Sequence, residues 1–393
     1  MRKPRVLTYR YEPFGGILHL ERPASLVWVD KDYMRSLGYP DSPLWDLKTP
    51  FLTAPTEVHL SVTRQCSAGC RGCYVDSYSP GARPDLASRE LGLDGMKRVV
   101  DVLAAARVFH LALGGGESLE LPWFFELAEY ARDKGIVPNL TTNGFPLDEK
   151  NARKCRVFGQ INVSIDGTGD EYRLARGVDG FAAADRALGL LRKARCHTGI
   201  NVVVSARNFP SLESILRYAR RKGVNQVELL RFKPSGRGRD LFDEMDLTPR
   251  QAATFFPTVT ALARRFRIRL RLDCSFMPMV FAHGPDPGKL DFFSACACLG
   301  GELLMSIGPD GTVSACSFAD PEPLHFSGLP EWWLSEQAFP SFRGWHRNAP
   351  EPCASCAYLD LCRGGCHVVA RAASGDWGRP DPGCPRVRET LAH

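Results

Sequence analysis

The chain has 393 residues, of which 44% are hydrophobic and 24% charged, enough for two or three domains with cores that need no covalent staples. No run of about 18 uncharged apolar residues is present to span a bilayer, and the N-terminal MRKPRVLTYRYEPF meets Tyr, Glu and Pro where a secretion signal would turn apolar; the expectation is a cytoplasmic protein without a membrane segment. The net formal charge of +6, with basic residues near 192–197 and 263–272 interleaved with apolar ones, excludes a nucleic-acid-binding block, whereas 14 cysteines without a secretion signal argue for metal or cluster ligation over disulfides.

In chain order, residues 1–50 predict a small β element (5–11, 17–20 and 26–29) and a short helix at 31–37, with no role evident in the sequence. From 51 to 240 the pattern alternates. β-rich runs at 58–63, 108–113, 136–141, 161–165, 200–204 and 226–232 are separated by segments of helical spacing at 94–106, 122–134, 181–194 and 212–221. Strands separated by helices need right-handed crossovers and a parallel sheet, so six βα units form either an open wound sheet or a partial barrel, with the chemistry at the C-terminal strand ends. Residues 241–289 are a Pro- and Arg-rich connector with one helix, 248–266. Residues 290–393 show little periodicity and are expected to be held by metal sites more than by a large core.

Each distinctive local signal follows a predicted strand. Cys66 comes after the first, Gly114-Gly115-Gly116-Glu117 after the second, Thr141-Thr142-Asn143-Gly144 after the third, Ser164-Ile165-Asp166-Gly167 after the fourth and Lys233-Pro234-Ser235-Gly236-Arg237-Gly238 after the sixth. Glycine ends many strands, but five such loops gather on one rim.

Cys66, Cys70 and Cys73 place three thiols within eight residues, leaving one coordination position open. Zinc with three protein ligands and a water would be a catalytic site; a [4Fe–4S] cluster with three thiolates keeps one iron free. The C-x3-C-x2-C spacing favours iron–sulfur over zinc, which usually takes paired CxxC. Cys155 and Cys196, isolated in apolar stretches, are expected to be small buried hydrophobes.

The Cys66–Cys73 motif resembles the signature of radical S-adenosylmethionine (radical SAM) enzymes, which carry it after the first strand of a βα array. The resemblance implies a partial (β/α)6 barrel whose cluster binds SAM and reductively cleaves it to a 5′-deoxyadenosyl radical. Gly115, Gly116 and Glu117 look like the family's GGE loop, where backbone and Glu117 receive the SAM ammonium, and Thr142, Asn143 and Ser164 match positions lining the SAM pocket. Arg176 lies in a recurrent segment without an assignable role. Many relatives carry an aromatic residue just before the third cysteine, where this chain has Gly72; Tyr74 is the nearest substitute.

The C-terminal block from Cys298 through Pro309-Asp310-Gly311 to Cys316, followed by Cys353, Cys356, Cys362, Cys366 and Cys384, resembles the SPASM extension of some radical SAM enzymes. The resemblance implies two auxiliary [4Fe–4S] clusters, hence three in all. Cys353, Cys356, Cys362 and Cys384 would hold the second; Cys298, Cys316 and Cys366 the first, with Cys296 as the leading candidate for its fourth ligand, Cys274 as a weaker one, or an iron left open to substrate.

SPASM enzymes mostly act on peptides or proteins. Sulfatase-maturing relatives carry an acidic base directly after the cysteine following Pro-Asp-Gly, and here that position is Ser317. Oxidative crosslinking or dehydrogenation of a ribosomally made peptide is therefore expected first, maturation of another enzyme or a cofactor precursor second, and a small-molecule substrate third; a non-enzymatic iron–sulfur carrier would have no use for a SAM loop. A flavodoxin or ferredoxin reductant is implied, and the short N-terminal region leaves room for a separate leader-peptide-binding protein.

Overall fold

In residues 57–63, Val58, Leu60 and Val62 are buried while Glu57, His59 and Ser61 between them are partly open, the alternation of a strand that faces a helix layer on one side and a polar space on the other. A computed structural model, which describes residues 5–21 and 24–391, repeats this unit along the chain. Strands β1 (Val6–Glu12), β2 (Gly15–Glu21) and β3 (Ala24–Asp30) form an antiparallel sheet. Strands β4 (Glu57–Thr63), β5 (His110–Gly115), β6 (Val137–Thr142), β7 (Ile161–Ser164), β8 (Thr198–Val204) and β9 (Gln226–Arg231) pair in sequence order, all parallel. These are the six predicted strands, within two residues at their ends.

The crossover helices bury one stripe each. Met96, Val99, Val100 and Leu103 do so in Gly92–Ala105, and Leu212, Ile215, Leu216 and Ala219 in Leu212–Lys222, the i, i+3, i+4, i+7 spacing of a helix laid on a sheet. The helix predicted at 248–266 spans Pro249–Phe266 and opens on a capping box, Thr248 with Gln251, which satisfies two N-terminal amides.

The sheet also crosses both sequence-drawn boundaries of the connector. A short β10 (Leu270–Leu272) adds parallel to β9, and β11 (Leu304–Ile307) adds parallel to the far edge of β4, followed by antiparallel β12 (Val313–Ser314). The resulting order, β10-β9-β8-β7-β6-β5-β4-β11-β12, curls on itself. Glu57 on β4 lies in electrostatic reach of Arg271 on β10, and Glu228 on β9 in reach of Glu57 and His59, although β4 and β10 stand six places apart in the sheet. That curl is the partial barrel.

The N-terminal sheet packs at the starts of β4 and β5, opposite the cysteine loop. Buried Arg10 donates to the carbonyls of Ala54 and Pro55 at 2.7 and 2.8 Å, and the His19 ring lies 4.8 Å from that of His110. Residues 5–50 therefore floor the barrel, a role that composition could not indicate. Beyond β12 the C-terminal region contributes Phe326, Trp333, Phe339 and Phe342 to the same core as the barrel and builds only a small core of its own around Cys366, Val368 and Val369.

Candidate functional site

The loop from Cys66 to Tyr78 is closed by hydrogen bonds from Cys66 N to Tyr78 O and from Tyr78 N to Arg64 O, at 2.9 and 3.0 Å, so the three thiols hang from a fixed frame at the C-terminal end of β4. Each sulfur meets a donor. The Ala68 amide and the Asn143 side-chain amide point at Cys66 Sγ (3.5 and 3.7 Å), the Arg176 guanidinium donates to Cys70 Sγ (3.4 Å) and the Ser77 amide to Cys73 Sγ (3.4 Å). Donors aimed at sulfur stabilise thiolate over thiol and tune a bound cluster. Burial pushes the Cys66 thiol up to about 11, against the Ala68 amide, so loading a metal there must release a proton. Among the described residues no three His, Cys, Asp or Glu side chains close on one point as a single metal ion needs; a cubane takes its thiolates on separate irons.

Arg176 acquires a role that the sequence left blank. Its guanidinium is buried between Cys70 Sγ and the carboxylate of Asp166 (2.9 Å), which also accepts from the Val203 amide (2.7 Å). The end of β7 is thereby locked to the cysteine loop, and the Arg71 amide donates to Arg176 O at 3.0 Å to seal the junction.

The glycine loop after β5 is needed for close packing. A Cβ on Gly115 (φ +107°) would lie 2.2 Å from Ser61 Oγ, and one on Gly116 2.0 Å from Gln65 O. Glu117 turns inward. Only 1% exposed, its carboxylate accepts from Thr142 Oγ1 and Asn143 N, both at 2.8 Å, and from Leu119 N at 3.3 Å; burial, against these donors, lifts it to about 7. With three protein donors on it, the carboxylate ties the β5 and β6 loops together. Asn143, turned onto Cys66, and half-buried Ser164 at the tip of β7 remain on the rim.

Tyr74 is likewise committed inward. Its hydroxyl lies beside the Gly114–Gly115 backbone and its ring packs 4.9 Å from Phe318. The ring beside Gly72 is Phe232, 2.7 Å from where a Cβ would sit.

Inside the barrel lies a polar line that the sequence did not reveal. His59 Nδ1 shares a hydrogen bond with Ser317 Oγ at 2.9 Å, and Nε2 faces Glu57 Oε1 at 3.1 Å. Burial alone would raise Glu57, but His59, His110 and Arg271 overcome it and hold the carboxyl down at about 2. The line joins residues 258 positions apart, and only the place of Ser317 after Cys316 marked it in the sequence. Asn162, Asn201 and Glu228 continue the polar wall: Asn162 donates to Asn201 at 2.7 Å and to Glu228 at 3.3 Å.

The C-terminal thiols form two groups. Cys353, Cys356, Cys362 and Cys384 are mutual neighbours, burial and then each other's charge pushing Cys353 up to about 11. Cys298, Cys316 and Cys366 gather around Lys233 at the end of β9. Of the two candidates beside them, Cys296 is an exposed residue whose thiol lies near both Arg271 and Cys298, while Cys274 donates its thiol to Asp273 Oδ1 at 3.3 Å and lies beside Cys298. The groups are bridged by Asp381, which takes the Cys366 and Gly383 amides (3.1 and 2.7 Å) and a salt bridge from buried Arg231 (2.8 Å), itself paired with Asp246 at 2.9 Å. Cys155 is buried and Cys196 partly so, each packed in the barrel core.

Residues 60–224 match the Radical SAM superfamily. Over 343 residues, 85% of this chain and 83% of the relative, the sequence is 29% identical to the mycofactocin maturase MftC of Mycolicibacterium smegmatis. It is 28% identical over 351 residues to the PqqA peptide cyclase of Ruegeria pomeroyi, covering 86% and 90% of the two chains. The crystal structure of Streptococcus suis SuiB bound to its precursor peptide SuiA superposes with a TM-score of 0.69 at 15% identity, over 96% of this chain and 98% of that one.

Proposed function

We propose that this chain, whose residues 60–224 are a radical SAM domain, oxidatively modifies a ribosomally made peptide, using SAM and three [4Fe–4S] clusters. When bound at Cys66, Cys70 and Cys73, such a cluster supplies the electron that cleaves SAM reductively to a 5′-deoxyadenosyl radical able to take a hydrogen atom from an unactivated carbon. The observation that carries the reading is the rim itself: three thiols on a closed loop, each with an N–H donor on its sulfur, over a barrel interior that is polar and ends on a His–Ser pair. A Cys-rich electron carrier would not need that interior. The activities for which the relatives are named, maturation of mycofactocin and cyclisation of the PqqA peptide, favour a peptide over a free metabolite.

The chain's own residues have separate tasks. Gly115 and Gly116 let the β5 loop lie against β4, Glu117 couples that loop to Thr142 and Asn143, and Asn143 and Ser164 line the rim for SAM. Arg176 and Asp166 hold the cysteine loop in register with β7. The substrate's C–H must lie within a few ångströms of the 5′-carbon and out of water, which a peptide threaded into the barrel mouth achieves.

After a hydrogen atom leaves, the substrate must shed a proton to complete a two-electron oxidation. No carboxylate follows Cys316, and His59, reached through the Ser317 hydroxyl and backed by the ionised Glu57, is the acceptor that the geometry offers. An auxiliary cluster, held by the C-terminal thiols, would take up the second electron.

A flavodoxin or ferredoxin would deliver the first electron in the cytoplasm, and a separate leader-binding protein would present the precursor. The test is mass spectrometry of small peptides encoded beside this gene and co-expressed with it. A loss of about 2 Da per event, with no atom heavier than hydrogen removed, is expected with the native enzyme and absent with Cys66→Ala. Peptides left unmodified, with turnover of a metabolite in their place, would refute the peptide reading.

A further inference from the structure

The loop after β9, Lys233-Pro234-Ser235-Gly236-Arg237-Gly238, is the fifth of the rim loops and the one with no task so far. Its base is fixed. Buried Arg231 pairs with Asp246 and Asp381, and buried Lys233 pairs with Asp273. The Ser235 amide then donates to Lys233 O at 2.9 Å and the Gly238 amide to Ser235 O at 3.0 Å, so the loop leaves the strand as a compact jaw.

The jaw closes on the middle of the cysteine loop. Ser235 Oγ donates to Tyr74 O and the Arg237 amide to Cys73 O, both at 3.0 Å. This approach requires glycine: Gly236 has φ +53°, and a Cβ on it would lie 2.4 Å from Cys73 O. The Arg237 side chain reaches further along the loop. Its Nε and Nη2 both donate to Cys70 O, at 3.3 and 3.0 Å, and its Nη1 pairs with Asp76 at 3.0 Å and bonds Ser77 O. Nη2 also meets Ser77 Oγ at 3.4 Å, the hydroxyl to which Cys73 Sγ donates at 3.2 Å. One guanidinium thus grips the loop at residue 70 and at residues 76 and 77, on either side of Cys73. Cys66 is held independently, by Tyr78 O on its amide and by the Ala68 and Asn143 donors on its sulfur.

We infer that Arg237 is a positioning residue for Cys70 and Cys73: its planar fork, presented by the β9 loop, sets the places of these two thiols relative to Cys66. The inference deepens the function proposed above and rests on its cluster reading, since a cluster on three thiolates needs all three held in place together. A fork that bonds the Cys70 carbonyl and the 76–77 turn at once is available to arginine and not to lysine. Residues that orient a metal's ligands without touching the metal typically account for about 10- to 100-fold in affinity.

The test has a metal-free and a loaded arm, both on the full chain. Hydrogen exchange of the metal-free, reduced protein is read for the native chain, Arg237→Ala, Arg237→Lys and Gly236→Ala, the last of which parts the two loops without altering Arg237. Expected in all three variants is faster exchange at residues 70–77, with the Cys66 and Tyr78 amides and strands β4–β9 as protected as in the native chain. In protein reconstituted anaerobically with iron and sulfide, a chelator should strip the SAM-responsive cluster about 10-fold faster or more. The electron paramagnetic resonance signal that SAM perturbs should change shape, while the signals of the C-terminal clusters stay native. Arg237→Lys should match Arg237→Ala in both arms. Native exchange at 70–77 in Arg237→Ala and Gly236→Ala, or full rescue by lysine, overturns the inference and leaves the cluster reading untouched. Loss of protection throughout β4–β9 also overturns it, because Arg237 would then hold the fold and not the thiols. A native chain that takes up zinc and no iron refutes the cluster reading, and the premise of the inference with it.

Discussion

The barrel and the C-terminal third are built on different physics. In the barrel, β4 through β9 each bury an apolar face against helices whose own stripes are apolar, and the cysteine loop is closed by backbone hydrogen bonds. The cluster site there is pre-shaped by a fold that stands without it. After β12, the described helices are short, from Leu329–Trp333 to Pro385–Leu391, and buried thiols occupy the places where a small domain would keep leucines. In the proposed reading, ligation by these thiols would add to a core that the region otherwise borrows from the barrel through Phe326, Trp333, Phe339 and Phe342. The comparison leads to an expectation: with clusters at both sites, loss of metal would silence the barrel and loosen the thiol-rich segment 353–384.

The sharpest way to break that contrast is to remove metal region by region. With Cys66, Cys70 and Cys73→Ala, SAM cleavage should vanish while hydrogen exchange stays slow throughout residues 316–391. Anaerobic chelation of all iron should leave β4–β9 protected and expose 353–384 to fast exchange. Equal loss of protection in both regions would show one cooperative unit.

The joint between the regions should matter next. Asp381 is fully buried and is one of two carboxylates on Arg231. Asp381→Ala leaves that guanidinium half-paired and the Cys366 amide without its acceptor, at a cost of about 3 kcal/mol in anaerobic urea unfolding of the holoprotein. A change below about 0.5 kcal/mol would mean that the domains are coupled elsewhere.

A smaller effect is expected inside the barrel. His59→Gln should keep 5′-deoxyadenosine formation and all the iron but lower product per 5′-deoxyadenosine by about 100-fold, the usual scale of a positioned proton acceptor. Ser317→Asp should retain coupling, because it puts a carboxylate where the hydroxyl stood. Unchanged coupling in His59→Gln would assign the proton to another group.

The smallest effect is at the barrel floor. Burial, then the neighbouring His110 and Arg132, lower His19 to about 4 from an ordinary 6.5. The unfolded chain therefore binds the proton that the folded floor refuses. Packing of residues 5–50 is fully stable above about pH 6.5 and should lose up to about 1 kcal/mol per unit as pH falls towards 4. Hydrogen exchange of β2 at pH 7.5 and 5.5 should show this dependence, and His19→Phe should flatten it.

How far the sequence spoke follows the range of each interaction. The six strands, their helices and the rim loops were legible because period-2 and period-3.6 patterns and glycine turns are local. β10 and β11, of three and four residues, are too short to carry a period, so the sheet was undercounted. Arg176 on Cys70, His59 on Ser317 and Cys274 beside Cys298 join distant positions through the closed barrel, which no window of sequence contains. The bonds from Thr142 Oγ1 and Asn143 N to Glu117 were not legible either, because they come from the next strand's loop, 25 and 26 residues on.

The pairing of β11 with β4 sets the order in which the protein can be completed. Ser306 Oγ donates to His59 O across 247 residues of chain, so during synthesis one edge of β4 waits, with unpaired amides and carbonyls, until 304–307 has left the ribosome. An open strand edge is a template for other chains, and long-range pairing of this kind is slow. A nascent chain stopped anywhere before 304 thus presents a barrel with a raw seam beside the cysteine loop, and the thiols from Cys316 to Cys384 arrive last, behind the strand that seals it.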